Sequence, residues 1–395
     1  MADVRVGVVG AGILGLAVAR RLAETRPDVT VTVLDKEDRV AAHQTGHNSG
    51  VAHAGLYYAP GSLKATLCRR GVRLLKEYCE DRNLPYEECG KVVVARDAAE
   101  LAALDEIERR ALANGVPGLR RLTGGELREI EPHAAGIAAL HSPTTAIVDF
   151  PTVARAFARD VADGGGEVRL GFEVVRLGRA GDRVTVASPG AELVFDRLVV
   201  CAGLQSDRVA RLAGDAREPA IVPFRGEYYR LARSRTDLVR GLIYPVPDPR
   251  YPFLGVHFTR RVDGGVDVGP NAVLALAREG YRWRDVRPAD VWETVRWPGF
   301  RRLAREHWRT GARELYGSAV KRAFVAEARG FVPELTAADV VPAPAGVRAQ
   351  AVDADGSLVD DFRLGRVGPV TTVRNAPSPA ATSALAIAEH VVASL

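Results

Sequence analysis

Three glycines at positions 10, 12 and 15, set between a valine-rich run and a helical pattern, constrain this chain more than any other feature. Residues 4–9 read VRVGVV, the glycines follow at G-x-G-x-x-G spacing, and after the helical pattern a second run, VTVTVLD, ends at Asp35. This is the order of a βαβ unit. Gly10 permits a tight turn, Gly12 lets a pyrophosphate approach the backbone, and Gly15 lets helix pack on strand, with the phosphates at the helix N-terminus. Asp35 is placed to accept from a ribose hydroxyl. The alternative is a glycine turn that serves only to pack a helix on a strand.

An NAD-binding domain would continue with alternating strands and helices for about another hundred residues. This chain departs instead into a polar loop, HQTGHNSGVAHAG (43–55), then a helix around 61–82, a strand over 91–95 and charged helices. The dinucleotide fold resumes near Pro151 with a helix, VARAFARDVADGGG, and two strands, EVRLGFEVVRLGR and RVTVAS. A buried strand from Leu198 to Cys201 then ends at Ala202 and Gly203, where another helix starts close to a bound nucleotide. The chain departs again over 221–335 and closes on a helix expected to open at Ser378 to Thr382. The pattern predicts an α/β fold with an α+β second domain. The expected parts are a Rossmann-like FAD-binding domain over 1–85, 146–220 and 336–395, and an inserted antiparallel-sheet substrate domain over 86–145 and 221–335.

With 395 residues, 47% of them apolar, a core for two such units is available. The N-terminus looks superficially like a signal peptide, but glycines punctuate its apolar run and no small-residue cleavage site follows, so it is read as part of the fold. No run of 18 apolar residues occurs, which speaks against a spanning helix. Cys68, Cys79, Cys89 and Cys201 show no C-x-x-C spacing, and the expected compartment is reducing, hence cytoplasmic.

The net charge of +5 is concentrated. Between Arg278 and Arg329 stand 13 Lys and Arg against 7 Asp and Glu, a net +6 that leaves −1 for the rest, and all four tryptophans share that stretch. A solvated helical layer is one reading. Peripheral contact of residues 283–322 with the inner face of a membrane is the sharper one, because basic residues interleaved with Trp suit an anionic interface. Nucleic acid is not expected as a partner, since no binding motif accompanies the charge.

Seven stretches carry a family resemblance: HQTGHNSGVAHAGLYYAPGSLK, CGKVVVA, PFRGEYYRL, IYPVPDP, PFLGVHFTRRVDGGVDVGPNAVLA, AGVRAQAV and NAPSPAATSA. They resemble the L-2-hydroxyglutarate oxidase or dehydrogenase group within the D-amino-acid oxidase and glycerol-3-phosphate dehydrogenase superfamily. That resemblance implies FAD, held non-covalently, and oxidation of L-2-hydroxyglutarate to 2-oxoglutarate by hydride transfer from the substrate C2 to flavin N5. Reoxidation is expected from oxygen or a membrane quinone. The same fold acting on another 2-hydroxy acid, an amino acid or glycerol 3-phosphate is the nearest rival, and an RNA-binding flavoprotein is a rival of another class.

On this reading Thr45, Asn48 and Ser49 bond the cofactor, joined by Val174, Ala202, Gly203, Ser378, Ala381 and Thr382. His53, placed close to the flavin by the resemblance, and His257 are the two candidates for the base that takes the hydroxyl proton, and the sequence does not choose between them. His43 and His47 read as structural hydrogen-bonders, and the resemblance argues against a covalent flavin link at His47. A substrate with two carboxylates calls for arginine forks. Arg348 is placed beside the flavin by the resemblance, with Arg225 and Arg260 as further candidates and Tyr57, Tyr58 and Tyr244 as phenol donors. No metal site is expected.

Overall fold

The computed structural model describes residues 4–247 and 254–395. Asp248, Pro249, Pro252 and Phe253, which belong to two of the stretches quoted above, lie outside the described residues.

A six-stranded sheet runs in the order Arg363–Val367, Val370–Asn375, Arg197–Val200, Val4–Val9, Val29–Leu34, Glu167–Arg169. All its pairings are parallel except the outermost, where Arg363–Val367 lies antiparallel to its neighbour. The first strand is apolar from Val6 onward because both faces are covered. Val6 and Val8 share a core with Leu16, Phe157 and Ile387 of helices Ile13–Thr25, Phe150–Asp163 and Ala384–Val392. Val9 joins Val184, Val186 and Phe195 of an antiparallel meander, Arg176–Ala180, Arg183–Ser188 and Ala191–Phe195. Each fully buried valine or leucine contributes roughly 1.5–3 kcal/mol of transfer free energy. Strands Val29–Leu34 and Arg197–Val200 flank the first strand on opposite sides, so its carboxyl end is a topological switch point, where open α/β sheets bind ligands.

A nine-stranded sheet follows the order Val273–Leu274, Ala220–Leu231, Val266–Gly269, His257–Arg260, Leu242–Pro245, Lys91–Ala95, Ala138–Ser142, Arg120–Thr123, and Val340–Val352 also pairs with Ala220–Leu231. It is antiparallel except where Leu242–Pro245 runs parallel to Lys91–Ala95. A small sheet of Val51–Ala52, Ala146–Val148 and Tyr86–Glu87 ties the loop after the first βαβ unit to the rest.

Three expectations are corrected here. Strand Val340–Val352, expected with the nucleotide-binding part, lies in the nine-stranded sheet, because the long strand Ala220–Leu231 offers it backbone partners from Ala220↔Val352 to Leu231↔Val340. Residues 167–179 are not one strand. The chain breaks at Gly171, whose φ of +70° suits glycine, so Glu167–Arg169 closes the parallel sheet and Arg176–Ala180 starts the meander. The last helix begins at Ala384, not Ser378, and residues 378–383 turn with Ala380 N donating to Pro377 O and Ser383 N to Pro379 O. Pro379 disfavours helical geometry at the residue before it.

Residues 288–328 form four short helices, Pro288–Arg296, Pro298–Glu306, Trp308–Ala319 and Lys321–Ala328. Prolines open the first two, where a missing N–H has no helical partner to lose. Trp292 and Trp308 are each 62% exposed and Tyr316 61%. Trp297 turns inward, its indole N–H donating to Val352 O at 3.0 Å. No helix among the described residues is long and apolar enough to cross a membrane.

Candidate active site

The glycine turn opens onto a cavity of about 1040 Å³. That is at the top of the roughly 300–1,000 Å³ common for ligand pockets, a size suited to a dinucleotide with a small substrate. Gly10 takes φ +110°, and a Cβ there would stand 2.3 Å from Cys201 O, just past the end of strand Arg197–Val200. A Cβ on Gly15 would stand 1.9 Å from Gly10 O, so Gly15 serves packing and lies behind the cavity wall rather than in it. Asp35 accepts from Ala11 N at 2.6 Å and from Glu37 N at 2.9 Å, which fixes its carboxylate at the cavity edge. Each carboxylate oxygen keeps a lone pair for a ribose hydroxyl.

The polar loop of residues 43–55 passes directly along this cavity. Thr45 Oγ1 accepts from Ile13 N at 3.0 Å, so the loop caps the first turn of the helix that the glycines introduce. Asn48 is spent holding the loop itself: its amide donates to Gln44 O and Thr45 O, and its oxygen accepts from Gly50 N. His47 Nδ1 is bonded to Ala345 O, and the ring stacks on Tyr281 with centroids 4.0 Å apart. His43 bonds Tyr281 and Glu37, and Lys36 pairs with Glu279 at 3.0 Å. These contacts draw residues 279–281 across one end of the cavity.

At the other end the walls are aromatic and titratable. Ile243 pairs with Phe258, which brings Tyr244 opposite His257, and their rings lie 4.1 Å apart. His257 Nδ1 is bonded to Gly255 O at 2.9 Å, and burial drags its pKa down to about 3, with the charges of Arg348 and Lys91 adding to the fall. His53 Nε2 lies 3.4 Å from Ser378 Oγ, and its backbone N–H donates to Thr382 Oγ1. Burial again, then Lys91, His257 and Lys64, hold His53 well below the usual histidine value. Both rings are therefore neutral at pH 7, with a nitrogen able to accept a proton.

Gly10, Gly12, Asp35, Thr45, Asn48, Ser49, Val174, Ala202, Gly203, Ser378, Ala381 and Thr382 all line this one cavity. So do His53, Tyr57, Tyr58, Tyr244, His257 and Arg348. Two expected arginines do not. Arg225 is 2% exposed and turned away, paired with Glu227 at 3.0 Å and set over the Trp283 ring at 4.4 Å. On that strand Gly226 and Tyr228 face the cavity, so the alternation sends Arg225 to the opposite side. Arg260 bonds Arg240 O and pairs with Glu87 at 3.3 Å, also outside the cavity.

Three residues escaped the sequence reading. Tyr228 and Lys64 line the cavity, with Lys64 Nζ held by Asp360 Oδ1 at 2.7 Å. Lys91 opens the wholly buried strand Lys91–Ala95, and a charge at the head of the run KVVVA was the signal that could have found it.

The cradle fits FAD. The glycine turn and capped helix would hold the pyrophosphate, Asp35 the ribose, and the loop with residues 378–382 the flavin half. A model of the family described as FAD dependent oxidoreductase matches residues 5–394. This chain belongs to that family. It is 45% identical over 386 residues to the L-2-hydroxyglutarate dehydrogenase of Indibacter alkaliphilus, covering 98% of this chain and 97% of that protein. The mitochondrial L-2-hydroxyglutarate dehydrogenases of Nematostella vectensis, 47% identical over 98% of this chain and 89% of that one, and of Homo sapiens, 45% over 96% and 86%, are similar to it as well. Among solved structures, the L-alpha-glycerophosphate oxidase of Mycoplasma pneumoniae with FAD bound superposes with TM-score 0.79 at 20% identity, over 99% of this chain and 94% of that one. Glycine oxidase from Geobacillus kaustophilus gives 0.72 at 18%, over 98% and 94%. Both share the fold of this FAD-dependent family member.

Proposed function

We propose that this enzyme oxidises L-2-hydroxyglutarate to 2-oxoglutarate. The observation that carries the reading is one cavity with a dinucleotide cradle at one end and two neutral histidines, half-buried His53 and buried His257, with Arg348 at the other. Relatives 45–47% identical over nearly the whole chain bear the name of that activity. Bound FAD supplies the acceptor for the hydride that leaves the substrate C2. His53 or His257 takes the hydroxyl proton, Arg348 binds a carboxylate through its fork, and Tyr57, Tyr58 and Tyr244 wall off water and offer phenol donors. Thr45, Ser49, Ala202, Gly203 and Thr382 hold the cofactor in register, with Val174 against its apolar part.

Reoxidation is by oxygen or a membrane quinone. The reading places the protein in the cytoplasm, with residues 283–322 in peripheral contact with the membrane's inner face, which favours the quinone. Exposed Trp292, Trp308 and Tyr316 among basic residues support that contact, and four cysteines without a disulfide support the compartment.

The test is the visible spectrum of the flavin-loaded protein without oxygen. Bleaching by L-2-hydroxyglutarate, and not by its D enantiomer or glycerol 3-phosphate, is the expected result. A flavin that stays oxidised with the L acid removes the substrate assignment and leaves the family.

A further inference from the structure

Lys91 is 1% exposed, yet its Nζ lies 4.9 Å from the ring centroid of Tyr57 and 4.4 Å from that of Tyr244, two side chains that line the cavity. Its strand neighbours are Leu242 on one side and Ser142 on the other. Among the described residues, no acceptor within hydrogen-bond distance and no carboxylate in ion-pair contact answers the amine, which meets only the two ring faces. The titratable groups around it are the Cys68 thiol from helix Leu63–Asp81, His53 and Tyr57 from the loop, and Tyr244 and His257 from the adjoining strands. None supplies a negative charge near neutrality: Cys68 is pushed up to about 12, both tyrosines are raised by burial, and both histidines are held neutral.

A buried ammonium without a counter-charge is costly, and the amine responds by giving up its proton more readily. Burial lowers Lys91 to about 7. Among the groups just named it is therefore the one whose charge changes near neutrality. Among the described residues, no carboxylate acts on Lys91 from the cavity side of the two tyrosines. The substrate proposed above has two carboxylates, and the inference rests on that reading. Arg348 lines the cavity wall that one of them would meet. Lys64 is a poor partner for the other, because the Asp360 carboxylate already neutralises it.

We propose that Lys91 is a specificity-determining residue that acts without contact, through the wall made by Tyr57 and Tyr244. A dicarboxylate entering the cavity draws one proton from solvent onto Lys91 Nζ, and the resulting ammonium favours dianions over monoanions. The proton moves from water or buffer to nitrogen, and no other bond changes. The affinity for a dianion then falls as pH rises, since alkali removes the proton that binding requires. Monoanion affinity stays nearly level over the same range.

Glutarate, a dianion without a hydroxyl to oxidise, and butyrate, its monoanionic counterpart, serve as probes of the oxidised holoenzyme by titration calorimetry. Repeating each titration in buffers of different protonation enthalpy reads proton uptake directly on the wild-type protein. We expect about half a proton per glutarate near pH 7.5, where a tenfold coupling gives its largest uptake, and close to none for butyrate. Lys91→Met, which replaces the amine with an apolar chain of similar length, loses the uptake and binds glutarate about tenfold more weakly, roughly the Coulomb energy of one charge across a partly screened wall. Its butyrate affinity stays within twofold. Lys91→Arg, charged at every pH, keeps the preference for glutarate but takes up no proton. Wild-type binding of glutarate without proton uptake overturns the proposal, as does a Lys91→Met variant with an unchanged glutarate-to-butyrate ratio. A holoenzyme that L-2-hydroxyglutarate fails to bleach overturns the substrate reading and this inference with it.

Discussion

The hydroxyl of Thr45 accepts a hydrogen bond from Ile13 N at 3.0 Å, so a loop beyond the second strand caps the helix that begins the chain's first βαβ unit. Thr45 is 7% exposed and lines the cavity beside Gly12. Its hydroxyl proton remains available to an anion held at that helix end. Thr45→Val keeps the shape and removes the oxygen. The loss of the cap costs about 1 kcal/mol. The expected outcome is a lower melting temperature and a larger apparent dissociation constant for FAD, measured by calorimetry of the apoprotein with increasing FAD. An unchanged FAD dependence shows that Thr45 serves the helix alone.

The two cavity histidines set the pH dependence. Both have pKa values lowered from 6.5, His257 to about 3, so each remains a proton acceptor well below pH 6.5. A base with a lowered pKa works above that pKa and fails when protonated. At saturating substrate, anaerobic flavin reduction should therefore hold level from about pH 8 to below pH 6 and decline only at lower pH. Stability carries the same sign, because the unfolded chain binds these protons more tightly and gains on the folded one as pH falls below 6.5. An acid limb centred near 6.5 shows that neither ring is the base.

Replacing the base separates the two candidates. His53→Asn or His257→Asn, whichever removes it, lowers the rate of flavin reduction by roughly 10²–10⁴. The other substitution leaves chemistry within about tenfold and shifts substrate affinity instead. Stopped-flow reduction at saturating substrate distinguishes them, and two equally mild effects would remove histidine from the proton step.

The arginines divide by direction. Arg348→Met should raise KM by at least about tenfold, since truncating one partner of a buried charge pair costs roughly 2–5 kcal/mol. Arg225→Met leaves Glu227 without its 3.0 Å partner and should lower thermal stability with KM within twofold. Arg260→Ala, on the outer side, should change neither measurably. Steady-state kinetics and melting curves on the three variants test the set, and a KM effect at Arg225 equal to that at Arg348 contradicts the orientation of the strand.

The exposed helices make the membrane reading testable in isolation. Trp292→Gln with Trp308→Gln removes two large apolar rings, each 62% exposed, without touching the cavity. The wild-type protein should sediment with vesicles containing anionic phospholipid at low salt, and the double variant should lose most of that binding while retaining activity with a soluble acceptor. Equal sedimentation of both proteins removes these tryptophans from the contact.

Much of the nucleotide end was legible in the sequence, because its requirements are local. Gly10, Gly12 and Gly15 answer to steric limits within one turn, VRVGVV answers to burial on both faces, and Asp35 follows at the end of the neighbouring strand. The break at Gly171 and the late start of the last helix were harder, since each is set by where a strand finds a partner or where Pro379 falls in a turn. Arg225 and Tyr228 point opposite ways on one strand, and only the packed sheet decided which of them faced the cavity. Arg260 looked like a substrate ligand until Glu87 and Arg240 came beside it. Lys91 was hidden for the same reason: a lysine at the head of a valine strand has no meaning until Tyr57 and Tyr244 close over it. The sequence by itself determined the nucleotide cradle, whose geometry is written in neighbouring residues. The tertiary structure alone decided which charges meet in the reactive end, because a side chain's electrostatic partners come from strands and loops far apart in the chain.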